Sequence, residues 1–213
     1  GEISFEDPIY DLQTNTQSTL LLLDLCKQTD CKNFIYASSM SVYGDHDRLP
    51  VSETDSCMPK SFYAVGKLAS ENYMKIHANK NLKTTALRLF NAYGPGQNLT
   101  NMKQGMASIF LSMALKDSKI NVKGDANRFR DFIYIDDLIN GIWSSLNRKG
   151  QNFEAINLCS GKKTTVKEVT DSIIKNISHD ISINFSDGTP GDQFGIYGST
   201  KFEKNSLKFR KSI

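Results

Sequence analysis

The sequence lacks the patterns that mark metal sites and membrane spans. Its 4 cysteines and 3 histidines show no CxxC or Cys/His ligand spacing, so we expect no metal site and free thiols in a reducing compartment. The apolar run from Leu20 to Leu23 is far shorter than the roughly 20 residues that a transmembrane helix needs, and no signal-peptide pattern opens the sequence. We therefore predict a cytoplasmic protein with no membrane partner.

A strong charge of either sign is also missing. The net charge is +3 at pH 7, which is too small to indicate nucleic-acid binding. The basic residues are scattered apart from one cluster, which we interpret as a solvated face: Lys201, Lys204, Lys208, Arg210 and Lys211. No nucleic-acid partner is predicted.

The usual dinucleotide fingerprint, a glycine-rich turn between a strand and a helix, is absent too. The stretch GDQFGIYG at 191–198 has similarly spaced glycines, but polar segments flank it instead of a strand and an apolar helix. The opening GEISFEDPIYD has neither an initiator Met nor a strand. We therefore expect the 213 residues to be an internal piece of a longer protein.

The hydrophobic pattern alternates between helices and short buried strands. Helices are predicted at 15–28 and 62–77, and continuous apolar runs at Asn33 to Ala37 and Thr84 to Phe90 are typical of strands buried on both faces. This alternation predicts an α/β fold with a doubly wound parallel sheet.

Beyond Asn91 the pattern changes, and we predict a boundary that divides the chain into residues 1–91 and residues 92–213. The elements predicted in the second part are, in chain order, a helix at 103–116, a strand at 119–123, a helix at 136–146, a strand at 153–158 and, behind a capping box at Thr165 to Glu168, a helix to about residue 177. We expect this part to form a smaller α/β region.

Hydroxyl and amine side chains converge near the end of the first predicted strand. Ser38 and Ser39 follow it directly, at the sheet edge where doubly wound folds bind ligands. Tyr63 and Lys67 lie one turn apart on the next helix, so they share a face. The spacing alone is weak evidence, because Tyr197 and Lys201 match it as well.

Such a set suits the oxidation of an alcohol. A hydride leaves carbon only if the hydroxyl proton also leaves, and a tyrosine with a pKa near 10 is a poor base at neutral pH. A nearby ammonium and an oxidised nicotinamide favour its phenolate, and Ser39 can hold the reacting oxygen. The alternative is that Ser39 merely caps a loop.

Four collinear motifs, FIYASSMSVYG, YAVGK, LRLFNAYGPGQ and RDFIYIDD, resemble the extended short-chain dehydrogenase/reductases, specifically the nucleotide-sugar epimerase and dehydratase family. The resemblance implies a Rossmann-like NAD-binding domain whose N-terminal part is missing at 1–91, and a nucleotide-sugar-binding region at 92–213 that is truncated at its end. It implies NAD as cofactor. Without the glycine-rich turn, we expect these residues alone to hold no NAD.

The resemblance also assigns site residues. Ser39, Tyr63 and Lys67 match the catalytic set, and Lys67 also the contact to the nicotinamide ribose. The remaining matches are Asn15, Ser38 and Phe90 on the cofactor side, and Asn91, Arg130 and Asp192 on the substrate side. Asn15 could instead be a helix N-cap, and Arg130 a partner in a surface ion pair.

Departures from the family pattern narrow the reaction. Dehydratases and decarboxylases of this family carry acids just after the catalytic hydroxyl, where this sequence has Met40 and Ser41. Epimerases lack them, so we expect epimerisation of a nucleoside-diphosphate sugar, a UDP-hexose at C4. A reductase or dehydratase of the same fold and a non-catalytic nucleotide-sugar-binding protein remain alternatives. The resemblance further implies a homodimer through a four-helix bundle built from the helices at 12–27 and 62–80.

Overall fold

The computed structural model describes residues 2–103, 105–188, 194–202 and Leu207. Its helices are α1 (Glu2–Glu6), α2 (Pro8–Leu12), α3 (Ser18–Gln28), α4 (Phe62–His77), α5 (Met106–Asp117), α6 (Ile135–Ser145) and α7 (Val166–Lys175). Its strands are β1 (Asn33–Ser39), β2 (Lys83–Leu89), β3 (Asn91–Tyr93), β4 (Lys119–Lys123), β5 (Phe129–Arg130), β6 (Phe132–Tyr134), β7 (Phe153–Leu158), β8 (Thr164–Thr165) and β9 (Ser182–Ser186).

A three-stranded parallel sheet in the order β1–β2–β7 organises the fold. Ser38 on β1 lies opposite Arg88 on β2, which in turn lies opposite Asn157 on β7. The parallel direction confirms the predicted α/β sheet. Strand β7 comes from the second part of the chain, so the chain returns to this sheet after the predicted boundary at residue 91.

Both faces of the sheet are covered, as the continuous apolar strands predict. Ala86 of β2 packs with Leu23 of α3 and Met74 of α4. The next residue, Leu87, packs on the other face with Leu138 of α6. Because successive side chains of a strand point to opposite faces, a single strand joins two cores.

The first long helical segment begins earlier than predicted. Asp7 caps α2 by accepting a hydrogen bond from the Tyr10 amide, and Pro8 occupies the first helical turn, where a missing N–H costs nothing. The helix continues through a π-helical turn at Gln13–Gln17 into α3. The predicted start at residue 15 is therefore wrong, because the capping signal lies at Asp7.

Smaller pairs of strands build the second part of the chain. β4 pairs with β9, and a separate core forms around Phe110 of α5, Val122 of β4 and Val166 of α7. β3 and β6 run parallel side by side. Within the part of the chain that the structure describes, no helix is long and apolar enough to cross a membrane.

Candidate active site

The carboxyl end of β1 presents Ser39 at a sharp change of backbone direction. The strand ends there and a 3₁₀ turn, Met40–Tyr43, follows. The Ser39 hydroxyl oxygen accepts hydrogen bonds from the Ser41 amide at 3.2 Å and from the Ser41 hydroxyl at 2.9 Å. Ser39 therefore does cap the turn, and this leaves its own O–H available as a donor.

Helix α4 brings Tyr63 and Lys67 to this strand end. Ser61 caps the helix by accepting from the Ala64 amide, which fixes the first turn just ahead of Tyr63. The side chain of Ser39 lies near enough to the Tyr63 phenol to act on its pKa, and the Lys67 ammonium lies 5.4 Å from the centre of the Tyr63 ring. The structure thus brings the three predicted catalytic side chains together.

Lys67 is anchored to the backbone of β1. Its ammonium donates to the Ala37 carbonyl at 2.9 Å and lies 4.7 Å from the centre of the Tyr36 ring. Burial lowers the pKa of Lys67, and the negative charge of Asp11 on α2 acts in the opposite direction. The ammonium therefore occupies a buried site that the carboxylate of Asp11 influences electrostatically.

Burial also has the largest effect on the pKa of the Tyr63 phenol. It raises the pKa of Tyr63, the nearby side chain of Ser39 acts to lower it, and the charge of Asp11 raises it. The spacing of Tyr63 and Lys67 predicts instead that the ammonium lowers the pKa of Tyr63. The net direction is upward, because the phenolate loses hydration on burial and this effect exceeds the lowering by Ser39.

The residues predicted on the cofactor side have different surroundings. Asn15 lies inside the π-helical turn and donates from its amide to Asp11 at 3.1 Å, so the alternative reading as an N-cap is wrong. Ser38 is buried and donates to Glu71. Phe90 is buried in a core cluster with Val42. Their contacts to a cofactor stay predictions.

The substrate-side residues lie along β3 and β5. The Asn91 amide donates to the Asp131 carbonyl at 3.0 Å and contacts Met40, which follows Ser39 directly. Arg130 is buried and donates to the carbonyls of Phe129 at 2.8 Å and Phe194 at 3.3 Å, so its side chain does not lie on the surface, where the ion-pair alternative places it. Asp192 lies outside the described residues.

Asp131 is a buried residue that the sequence did not single out. Its carboxylate accepts from the amide and hydroxyl of Ser160 and from the amides of Gly161 and Gly198. Burial raises the pKa of Asp131, while these hydrogen bonds act to lower it. The carboxylate of Asp131 thus joins two segments, at Ser160–Gly161 and at Gly198, and its backbone carbonyl accepts from Asn91.

A buried ion pair was also missed. Arg88 of β2 and Glu71 of α4 form two parallel contacts, with 2.7 Å from Nη2 to Oε2 and 3.1 Å from Nε to Oε1. Arginine inside a strand buried on both faces requires a buried partner. One signal in the sequence could have identified Glu71: it lies four residues after Lys67, as Lys67 lies four residues after Tyr63.

Comparison with known proteins gives a consistent result. The sequence model of the NAD dependent epimerase/dehydratase family matches residues 2–159. A relative from Methanocaldococcus jannaschii, provisionally named a UDP-glucose 4-epimerase, is 32% identical over 212 residues, covering 99% of this chain and 68% of the relative. The dTDP-4-dehydro-6-deoxyglucose reductase of Escherichia coli is 31% identical over 205 residues, covering 95% of this chain and 64% of the relative.

A solved structure agrees with these sequence matches. The UDP-glucose 4-epimerase of Thermotoga maritima, solved with UDP-glucose, superposes with a TM-score of 0.93 at 27% identity. The match covers 100% of this chain and 69% of that one. The chain thus spans about two thirds of the length of the proteins it matches, and its fold is Rossmann-like.

Proposed function

The chain belongs to the NAD dependent epimerase/dehydratase family, and from this premise we propose that the protein epimerises a nucleoside-diphosphate sugar, a UDP-hexose at C4. The observation that carries the proposal is the proximity of Tyr63 to both Ser39 and Lys67 at the end of β1. NAD is the cofactor of the family.

The side chains present fit an NAD site at this edge. An ammonium carries three N–H donors, and the bond from Lys67 to Ala37 uses one of them. The other two suit the vicinal hydroxyls of a ribose. We assign Lys67 to the nicotinamide ribose and Asn15, Ser38, Ser39, Tyr63 and Phe90 to the cofactor surroundings. When bound, NAD supplies an acceptor for a hydride, which it later returns.

The proposed chemistry at the sugar needs one base and one hydrogen-bond donor. Tyr63 takes the proton of the 4-hydroxyl, and Ser39 donates to the reacting oxygen. Asn91, Arg130 and Asp192 hold the diphosphate and the nucleotide ribose, a task that suits a guanidinium for Arg130. The keto sugar turns about this tether, and Tyr63 returns the proton after the opposite face is presented. No net oxidation occurs.

Residues beside Ser39 support epimerisation over dehydration or decarboxylation. Met40 packs against the buried core around Phe90, and Ser41 donates to Ser39. Neither side chain can supply the acid that elimination of water needs. The 31% identity to a dTDP-sugar reductase supports a second candidate, reduction of a keto sugar with net use of reduced cofactor.

A product assay separates these candidates. The full protein is supplied with NAD and a panel of UDP- and dTDP-sugars, and products are identified by NMR while absorbance at 340 nm is followed. Epimerisation predicts C4 epimers with no net absorbance change. A parallel reaction is supplied with a nucleotide keto sugar and NADH or NADPH, and stoichiometric loss of absorbance there indicates the reductase instead. Binding without turnover of any sugar indicates a non-catalytic nucleotide-sugar-binding protein.

We also propose the division of labour between the two parts of the chain and its assembly. Residues 1–91 provide the cofactor side and 92–213 the nucleotide-sugar side, with β7 returning to complete the sheet. The proposed protein partner is a second copy, because α3 and α4 expose apolar side chains at Leu21, Leu22, Leu25, Val65 and Ile76.

A further inference from the structure

Side chains on one face of α4 lie against three consecutive residues of β1. Tyr63, Lys67 and Glu71 are spaced by four, so they lie one above the other on the helix. Lys67 donates to the carbonyl of Ala37. Glu71 accepts a hydrogen bond from the next residue of the strand, Ser38, and Tyr63 lies beside the residue after that, Ser39.

Glu71 occupies the least exposed of these positions. Its side chain is 3% exposed and that of its partner Arg88 is 6% exposed. The Ser38 hydroxyl donates to Glu71 Oε1, and Arg88 donates to both carboxylate oxygens. Arg88 is itself fixed by a 3.0 Å bond to the Tyr43 hydroxyl. The carboxylate therefore has little freedom to move.

We propose that Glu71 is a positioning residue for the active site: through Ser38 it sets where the hydroxyl of Ser39 lies relative to Tyr63. This inference rests on the proposed function, because it assigns a catalytic use to Ser39 and Tyr63. Glu71 itself touches neither of them in the described contacts. It acts through the strand residue that directly precedes Ser39.

The geometry explains why this anchor matters for the reaction. Ser39 is the last residue of β1 and pairs with Leu89 of β2. The strand pairing does not continue beyond it. The bond from Ser38 to Glu71 and the bond from Lys67 to Ala37 hold the last strand residues against α4. Misplacement of a reacting group by about 1 Å can cost about 100-fold in rate.

The test removes this one bond and leaves the ion pair intact. In Ser38→Ala, Glu71 keeps its ion pair with Arg88, so we expect the variant to fold. Thr85→Val is the matched control: Thr85 is a buried residue of β2 that accepts from Arg148, and Arg148 keeps its bonds to the carbonyls of Thr84 and Gln151. Both variants lose one hydrogen bond to a buried charged group.

In the full protein at saturating NAD, we expect Ser38→Ala to lower kcat about 10-fold with KM for the sugar nucleotide unchanged, and Thr85→Val to leave kcat unchanged per folded molecule. Ser38→Thr, which keeps the hydroxyl, restores most of kcat. Equal kcat in Ser38→Ala and Thr85→Val overturns the proposal. A rise in Kd for NAD alone, with kcat at saturating NAD unchanged, also overturns it, because Ser38 then acts only through the cofactor surroundings assigned to it above.

A second readout does not depend on turnover. The Ser41 amide donates to Ser39, so its hydrogen exchange reports whether the turn holds its shape. We expect faster exchange at Ser41 in Ser38→Ala than in Thr85→Val. If the wild-type protein turns over no sugar, the proposed function fails, and the exchange rates still decide: faster exchange supports positioning by Glu71, and equal exchange overturns it.

Discussion

Burial moves the two ionisable residues at the end of β1 in opposite directions. The pKa of Tyr63 rises and that of Lys67 falls, since both charged forms lose hydration. Asp11 adds to the first shift and opposes the second, because its negative charge disfavours a phenolate and favours an ammonium. A single carboxylate on α2 therefore tunes both groups.

Asp11→Asn tests this electrostatic role. Removing the negative charge lowers the pKa of Tyr63, so the limb of the pH–rate profile that requires phenolate moves to lower pH. The acceptor oxygen for Asn15 is kept by the amide, so the fold is preserved. The profile of kcat against pH measures the shift.

Asp24→Asn on α3 is the control for that experiment, because Asp24 is exposed and its charge acts on His77 and not on Tyr63. We expect its profile to match the wild type. A profile of Asp11→Asn that stays in place, or moves to higher pH, contradicts the assigned role of Asp11.

At the scale of elements, helix capping links stability to the site. Ser61 caps α4 and Thr165 caps α7 with a complete capping box. Loss of either cap costs about 1 kcal/mol. Only Ser61 precedes a first turn that carries Tyr63, so only this cap also affects the position of the proposed base.

Ser61→Ala and Thr165→Ala form a matched pair. Urea unfolding is expected to show both variants destabilised by about 1 kcal/mol. Turnover is expected to fall several-fold in Ser61→Ala, because the first turn of α4 frays, and to stay normal in Thr165→Ala. Equal turnover in the two variants argues against a dependence of the site on the α4 cap.

The elements with strong local signals could be predicted from sequence. The bounds of α4, β4 and β7 match the predictions at 62–77, 119–123 and 153–158, because caps and apolar runs mark their ends. The five-residue strand β9 was not predicted, and neither were the short strands β3, β5, β6 and β8. Two or three residues carry no periodicity, and these pairs form through tertiary contacts.

The candidate site, too, could be predicted from the sequence only in part. Ser39, Tyr63 and Lys67 could be brought together in advance, because helix and strand geometry fix their direction. The anchors behind them, Asp131 with its four donors and Glu71 with Arg88, depend on residues far apart in the chain. No local pattern identifies such partners before the fold is known.

At the scale of the whole molecule, the proposed dimer requires an apolar surface on α3 and α4. On α3, Leu21 is 66% exposed and Leu25 is 53% exposed. Association of two copies buries this apolar surface, which is otherwise in contact with water. We expect the double change Leu21→Glu and Leu25→Glu to convert a dimer to a monomer, as measured by sedimentation equilibrium.

Ile139→Glu on α6 is the control for this experiment, because Ile139 is similarly exposed at 52% but lies outside the proposed interface. Its assembly state should match the wild type. A wild-type protein that sediments as a monomer, or a double variant that stays dimeric, contradicts the proposed assembly.

The central claim is that the Tyr63 phenol exchanges the proton of the reacting hydroxyl. The most direct measurement is kcat for Tyr63→Phe beside Tyr197→Phe, the tyrosine of the other Tyr-x-x-x-Lys match, in the full protein with NAD and the sugar nucleotide found by the product assay. The account predicts a loss of at least about 100-fold in Tyr63→Phe, with sugar-nucleotide binding retained, and normal turnover in Tyr197→Phe. Near-normal turnover in Tyr63→Phe would contradict it.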